Sequence, residues 1–246
     1  MSKRTQVIII SIVGSIFLLF FYFYSYRQQI VEEVVWADGR VAKGCYHKLF
    51  LGVLGDKVFL IQNYHLYLFP ADKKGYGGIL KMAKVDINKD GKDEYVLAVQ
   101  LEGVKWVYPD GKFSDAPEMP EAVVLICEHR GNQLKIEIPI LVGGIDPDFQ
   151  LVDLNKDGTK DVVASGKDLP IWSYLKIVSW QRNKYRYLWN SGENCSVVEQ
   201  NFKINKDGNA QIKIGLPSSS DSSTPVKVDL WETWIWDGQK FAKKME

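Results

Sequence analysis

Asp86-Ile-Asn-Lys-Asp-Gly-Lys-Asp-Glu94 and Asp153-Leu-Asn-Lys-Asp-Gly-Thr-Lys-Asp161 are the two stretches whose reading decides the fold. Both hold oxygen-bearing side chains at relative positions 1, 3, 5 and 9: Asp86, Asn88, Asp90 and Glu94, then Asp153, Asn155, Asp157 and Asp161. Gly91 and Gly158 hold position 6, where glycine permits the tight curl that lets alternate side chains converge. At these positions each loop gathers three carboxylates, whose repulsion disfavours the curl unless a cation sits at its centre. An all-oxygen set with flexible geometry suits Ca²⁺, with a backbone carbonyl of Lys92 or Thr159 at position 7 as a further ligand. The other reading is a pair of metal-free turns held by Asx hydrogen bonds. An EF-hand is excluded, because position 12 is Leu97 or Ala164 instead of a bidentate Glu.

Outward from these loops the chain repeats. Asn-Lys-Asp-Gly recurs at Asn205 to Gly208, so the three copies are separated by 67 and 50 residues. The third has Lys203 at position 1 and Gln211 at position 9, and is expected to be a bare turn. Apolar residues precede the loops (Val85, Val152, Phe202) and sit inside them (Ile87, Leu154, Ile204), and strand-like runs follow. Trp180 to Tyr185, Trp236 to Phe241 and His129 to Leu134 each read as a hairpin: an aromatic or His, a four-residue polar turn, then an apolar residue. Two similar turns occur at Trp36 to Val41 and Tyr108 to Phe113. Long helical periodicity is absent after the N-terminus. Several strands per unit of 50 to 67 residues predict an all-β fold of blade-like antiparallel sheets, either a small propeller or an open array. The serine-rich stretch Pro217 to Pro225 reads as a long loop between strands.

The loops resemble the calcium loops of FG-GAP or VCBS repeats, over roughly residues 80 to 245. That resemblance implies a propeller-like fold, structural Ca²⁺ and adhesion or ligand binding. The chain is too short for the seven-bladed propeller of integrin α subunits, and its third loop lacks two of the ligands.

The N-terminus is of another kind. Val7 to Tyr26 is 20 residues without a charge, about 30 Å as a helix, which matches a bilayer core. Phe20, Phe21, Tyr22, Phe23, Tyr24 and Tyr26 resemble an interfacial aromatic belt. Lys3 and Arg4 before the span favour a cytoplasmic N-terminus. A cleaved signal peptide would have a shorter core and a small-x-small site, which Ser25 to Glu33 does not supply. The expected organisation is therefore a cytoplasmic tip and transmembrane anchor over residues 1–30, and an extracytoplasmic β-rich domain over residues 31–246.

Composition fits a folded domain: 46% hydrophobic, 25% charged and 13% aromatic residues. A net charge of +1 offers no global attraction for nucleic acid. Cys45, Cys127 and Cys195 form no CxxC pair, so a thiolate zinc site is not expected; one disulfide or three buried thiols both remain open. His47, His65 and His129 are the only histidines, and none falls in a recognisable catalytic motif; Cys45 beside His47 lacks an orienting third group. Trp180 and Trp236 repeat in register and are expected in the core. Trp172, Trp189, Trp231 and Trp234 are candidates for a sugar-stacking or protein-docking surface if they reach solvent. The expected function is a non-catalytic, calcium-binding interaction module held at the cell membrane, with a protein or glycan partner. The alternative is an envelope hydrolase or lyase on a propeller-like scaffold.

Overall fold

The computed structural model describes residues 28–30, 33–35, 41–43, 47–54, 57–62, 65–69, 78–104, 119–168, 172–190, 199–205, 209–217 and 228–244. The expected anchor at 7–26, Cys45, Cys195 and the turn at 108–113 lie outside these residues. Among the described residues no helix is long and apolar enough to cross a membrane.

Every regular element described is a β-strand, as the sequence predicts. The first six are β1 (Gln28–Ile30), β2 (Glu33–Val35), β3 (Val41–Lys43), β4 (His47–Leu54), β5 (Lys57–Gln62) and β6 (His65–Phe69). Three antiparallel meanders of four strands follow. The first is β7 (Gly78–Val85), β8 (Glu94–Val104), β9 (Met119–Arg130) and β10 (Gln133–Leu141). The second is β11 (Ile145–Val152), β12 (Asp161–Asp168), β13 (Trp172–Gln181) and β14 (Lys184–Asn190). The third is β15 (Glu199–Ile204), β16 (Ala210–Pro217), β17 (Val228–Trp236) and β18 (Phe241–Lys243). The serine-rich stretch thus joins two neighbouring strands of one sheet, β16 and β17.

The first meander belongs to a larger sheet. The tip of its last hairpin meets β4 through the pair Gln133↔Gly52 and a Val53 N–H to Asn132 carbonyl bond of 2.9 Å. The sheet then runs on through β5 and β6 and curls until β6 faces β7 again, giving a nearly closed antiparallel sheet. At that seam a β-carbon on Gly78 would stand 3.2 Å from the Tyr67 ring, and Gly78 has φ +115°, so glycine suits both the space and the backbone there.

Side-chain alternation explains the layering. On β8 and β9, Tyr95, Leu97, Val99, Val123, Leu125 and Cys127 point into the curled sheet, where they meet Leu49, Leu51, Val58 and Leu60. Their neighbours Val96, Ala98, Ala122, Val124 and Ile126 point the other way and pack on Phe149, Val162, Ala164 and Val178 of the second meander. The opposite face of that meander, with Val163, Leu175 and Ile177, packs on Ala210, Ile212, Ile214 and Phe241 of the third. Strands buried on both faces read as continuous apolar runs, as Tyr95 to Val99 and Val123 to Cys127 do.

The three predicted hairpins join the third and fourth strands of each meander. His129 pairs with Leu134, Trp180 with Tyr185 and Trp236 with Phe241. Two are tighter than a four-residue turn, because Arg130↔Gln133 and Gln181↔Lys184 continue the ladder. In the second, Arg182 and Asn183 have φ of 51° and 61°, the left-handed pair that matches strand twist in a two-residue turn. The third keeps four turn residues, with the Asp237 carboxylate accepting from the Gln239 and Lys240 amides.

Candidate metal centre

Each acidic loop connects the first and second strands of its meander. The first lies between β7 and β8, the second between β11 and β12. The two curls turn left-handed at the same two positions: Lys89 and Lys156 at position 4 have φ of 59° and 57°, and Gly91 and Gly158 both have φ of 83°. The apolar residue at position 2, Ile87 or Leu154, is buried and plugs the base of the loop into the core.

Four hydrogen bonds recur. The position-9 carboxylate accepts from the position-2 amide, Glu94 from Ile87 at 2.7 Å and Asp161 from Leu154 at 2.9 Å. The position-1 carboxylate accepts from the position-6 glycine, Asp86 from Gly91 at 3.0 Å and Asp153 from Gly158 at 2.9 Å. The position-3 amide oxygen accepts from the position-5 N–H, Asn88 from Asp90 at 2.9 Å and Asn155 from Asp157 at 3.2 Å. The position-5 carboxylate accepts from position 7, Asp90 from Lys92 at 2.8 Å and Asp157 from Thr159 at 2.7 Å. These side chains therefore shape the loop before any ligand is considered.

Beyond this frame the loops diverge. In the second, Asp153 also accepts from the Asp157 amide at 3.1 Å, Asn155 Nδ2 donates to Asp157 Oδ2 at 2.8 Å, and the Thr159 hydroxyl donates to Asp157 Oδ1. In the first, Asn88 Nδ2 turns to Glu94 Oε1 at 3.0 Å, and Asp86 Oδ1 is buried without a hydrogen-bond partner. A bridge joins the two: the Lys89 ammonium of the first loop donates to the Asp157 carbonyl of the second. Nearby, Lys81 of β7 clamps the meanders through Asp148 at 2.7 Å and the Phe149 carbonyl at 2.6 Å.

The position-9 carboxylates are almost fully buried, Glu94 at 3% and Asp161 at 1% exposure. Burial pushes the Glu94 carboxyl above its ordinary range; the Ile87 N–H opposes this, and Asp90 and Asp86 add to it. Burial raises Asp161 as well, against hydrogen bonds from Ser179 and Leu154, while Asp157 and Asp153 push the same way as burial. Asp157 goes the other way. Burial raises it, but the Thr159 hydroxyl and amide, the Asn155 amide and the Lys89 charge together hold it below the ordinary carboxylate range.

As the side chains stand, no three His, Cys, Asp or Glu among the described residues form a group that could hold a metal ion. The loop oxygens face the loop's own amides. In the first loop an unpartnered Asp86 oxygen and a buried Glu94 lie in one curl, the oxygen chemistry a hard cation would require. The fit is poorer in the second, whose carboxylates are more fully spent on internal donors.

The third loop is built differently. In the first two, the strand ladder stops at Val85↔Glu94 and Val152↔Asp161, position 0 against position 9. In the third it runs on through Lys203↔Gln211 to Ile204↔Ala210, closed by an Asn205 N–H to Asn209 carbonyl bond of 2.9 Å. With carboxylates absent at positions 1 and 9, the strands zip into the space that the curl occupies elsewhere. Asp207 lies outside the described residues.

The sequence did not signal Lys89 or Ser179 as site residues, because their contacts cross between elements far apart in the chain. Of the candidate aromatics, Trp189 and Trp234 face each other edge-on at 5.1 Å against the third core, and Trp180 and Trp236 also pack on cores as expected. Trp231 is 43% exposed and lies across Gly215, where a β-carbon would stand 3.3 Å from its ring. Trp172 begins β13, and its side chain is outside the description. His129 is exposed and packs edge-on to Tyr95 at 5.5 Å. Cys127 is a free buried thiol whose pKa burial drives far up, so it is an inert hydrophobe. No family model matches this chain, and no curated protein matches it.

Proposed function

We propose that this chain is a membrane-anchored, extracytoplasmic interaction module whose stacked four-stranded meanders are propeller-like blades stiffened by calcium, and which acts on its partner by binding, without catalysis. The observation that carries the reading is the pair of acidic loops. They adopt the same curl, lie side by side, and bury a carboxylate at position 9 whose charge is disfavoured as it stands. Asp86, Asn88, Asp90 and Glu94, with the Lys92 carbonyl, would hold one ion; Asp153, Asn155, Asp157 and Asp161, with the Thr159 carbonyl, would hold a second. Bound calcium would offset the repulsion among the carboxylates and fix the spacing of the first two meanders. The FG-GAP or VCBS resemblance gains support from the place of the loops, each between the first and second strands of a meander.

The partner is read as a protein or a glycan. Trp231 supports this reading, as an exposed ring on the last sheet with the polar pair Asn201 and Glu199 two strands away, in the row Glu199↔Gly215↔Trp231. The test is calorimetric titration of the purified full chain with Ca²⁺, followed by screening of the calcium-loaded protein on glycan and protein arrays. Saturable calcium binding and a ligand lost in Trp231→Ala are expected. Turnover of a cell-wall glycan by pure protein, abolished by a single substitution away from the loops, would replace this reading with the hydrolase or lyase alternative.

A further inference from the structure

Strands β4, β5 and β6 break the rule that a surface strand alternates. Leu49-Phe-Leu51, Val58-Phe-Leu60 and Leu66-Tyr-Leu-Phe69 are runs of apolar residues without a polar interruption. Such runs belong where both faces of a strand are covered. One face is covered: Leu49, Leu51, Val58 and Leu60 lie inside the curled sheet, with Tyr67 and Phe69 against them. The other face carries Phe50, Phe59, Leu66 and Leu68, and register places them in two cross-strand rows, Phe50↔Ile61↔Leu66 and Gly52↔Phe59↔Leu68. The Phe50 and Phe59 rings meet at 5.6 Å, and the Phe59 ring lies over Gly52, where a β-carbon would stand 2.5 Å from it. Phe50 is buried at 5% exposure, whereas Leu66 and Leu68 are 59% and 40% exposed, so the open part of this face lies on β6.

The occupant of this face is indicated by where the chain enters the sheet. β1 pairs with the start of β4 on the side where β10 also meets it, with Gln28 opposite Leu49. The uncharged stretch read as the membrane anchor ends at Tyr26, only two Cα steps earlier, or about 7.6 Å at full extension. Three strand spacings, roughly 15 Å, separate β1 from β6 across β4 and β5. The apolar outer face therefore begins within a short reach of the end of the span. With the anchor as read above, a tether this short would keep this edge of the sheet near the bilayer surface, where exposed leucines would meet lipid at high effective concentration.

We propose that the outer face of β4–β6 rests on the lipid surface, with Leu66 and Leu68 seated at the boundary between headgroups and acyl chains. This rests on the anchor reading above. It makes the β4–β6 side the membrane-proximal side of the domain, and the third meander, which among the described residues packs on the second, a free flank.

The experiment uses the full chain reconstituted in phosphatidylcholine–phosphatidylglycerol vesicles, in a Cys45→Ser, Cys195→Ser background that retains buried Cys127. A polarity-sensitive fluorophore is attached at Leu66→Cys, at Leu68→Cys and, as a control, at Leu230→Cys on β17, an equally exposed leucine of the third meander. The expected result is a blue shift at 66 and 68, with loss of emission to lipids bearing a nitroxide high on the acyl chain, and neither effect at 230. Resistance to carbonate extraction reads the anchor independently. Unquenched labels at 66 and 68 in a chain that resists extraction would overturn the proposed surface and leave the anchor standing. Release of the chain by carbonate would overturn both. Quenching between labels that appears only as protein density in the vesicles rises would assign the face to a second copy and overturn the proposal.

Discussion

The first and second acidic loops share one backbone and one hydrogen-bond frame, yet they satisfy their carboxylates differently. The cause lies at two positions. At position 9, Glu94 is long enough to take the Asn88 amide as well as the Ile87 N–H, whereas Asp161 is shorter and Asn155 turns to Asp157. At position 7, Thr159 adds a hydroxyl donor to Asp157 that Lys92 cannot supply to Asp90. The second loop also receives the Lys89 ammonium from the first. The first is left with a buried Asp86 oxygen and no donor for it. Loops of equal ligand count thus differ in how much of their negative charge is already answered, and the first has more to gain from a cation.

The largest effect expected from this comparison is on calcium-dependent stability. If calcium binds only the folded state, each site adds about 2.7 kcal/mol at a hundredfold excess over its dissociation constant. Chelation should lower the melting temperature, and excess calcium should restore it. Asp86→Ala should remove a larger share of this response than Asp153→Ala. Identical melting curves in chelator and in millimolar calcium would reject the metal, and equal losses in the two variants would erase the distinction between the loops.

Next in size is Thr159→Val, which deletes one donor while preserving shape. In chelator it should cost about 1 kcal/mol, typical of one hydrogen bond, as measured by urea unfolding. By unburdening Asp157 it should also make the second loop respond to calcium more as the first does. A variant with wild-type stability and wild-type calcium response would show that the hydroxyl contributes nothing to the asymmetry.

A smaller effect is carried by pH. The folded-state pKa of Glu94 is raised, so its contribution to stability is fully present below its unfolded value and is lost as pH rises through the folded one. Asp161 has the same sign. Asp157 has the opposite sign: its contribution is present above its unfolded pKa and is lost as pH falls through the lowered folded one. In chelator, Glu94→Gln should therefore raise the melting temperature at neutral pH and flatten its rise toward mild acid. A Glu94→Gln protein that melts lower than wild type at neutral pH would contradict the assignment. The smallest effect is a null one. Asp207→Ala should leave the calcium response unchanged, since the ladder has zipped through positions 1 and 9 of the third loop.

What was legible in the sequence was local. Position 6 glycines, Asn-Lys-Asp-Gly repeats and aromatic-flanked turns each depend on a few adjacent residues, and the curls and hairpins fall where those residues predict. The third loop was readable from Lys203 and Gln211, though not the way its strands extend to fill it. Long-range placements left no trace. Nothing near Lys89 announces a partner 68 residues away, and Trp189, Trp231 and Trp234 look alike until pairing sends two inward and one outward. The ten ligand candidates were nameable from spacing; the direction in which each carboxylate turns was not, because it is set by competition among nearby amides. Continuous apolar runs such as Val123 to Cys127 showed that both faces are buried, without saying against what.

The three cores lie in series: the curled sheet holds the first, the second meander separates the second from the third, and only the third closes the far side. Each layer leans on its immediate neighbours, so cooperativity has to be handed along the row instead of shared at once. Backbone amides should consequently exchange with deuterium in a gradient, fastest in the outermost sheet and slowest on β8 and β9, whose side chains feed two cores. Loss of the last layer would uncover Val163, Leu175 and Ile177 of the second meander and leave the first core, two layers away, untouched.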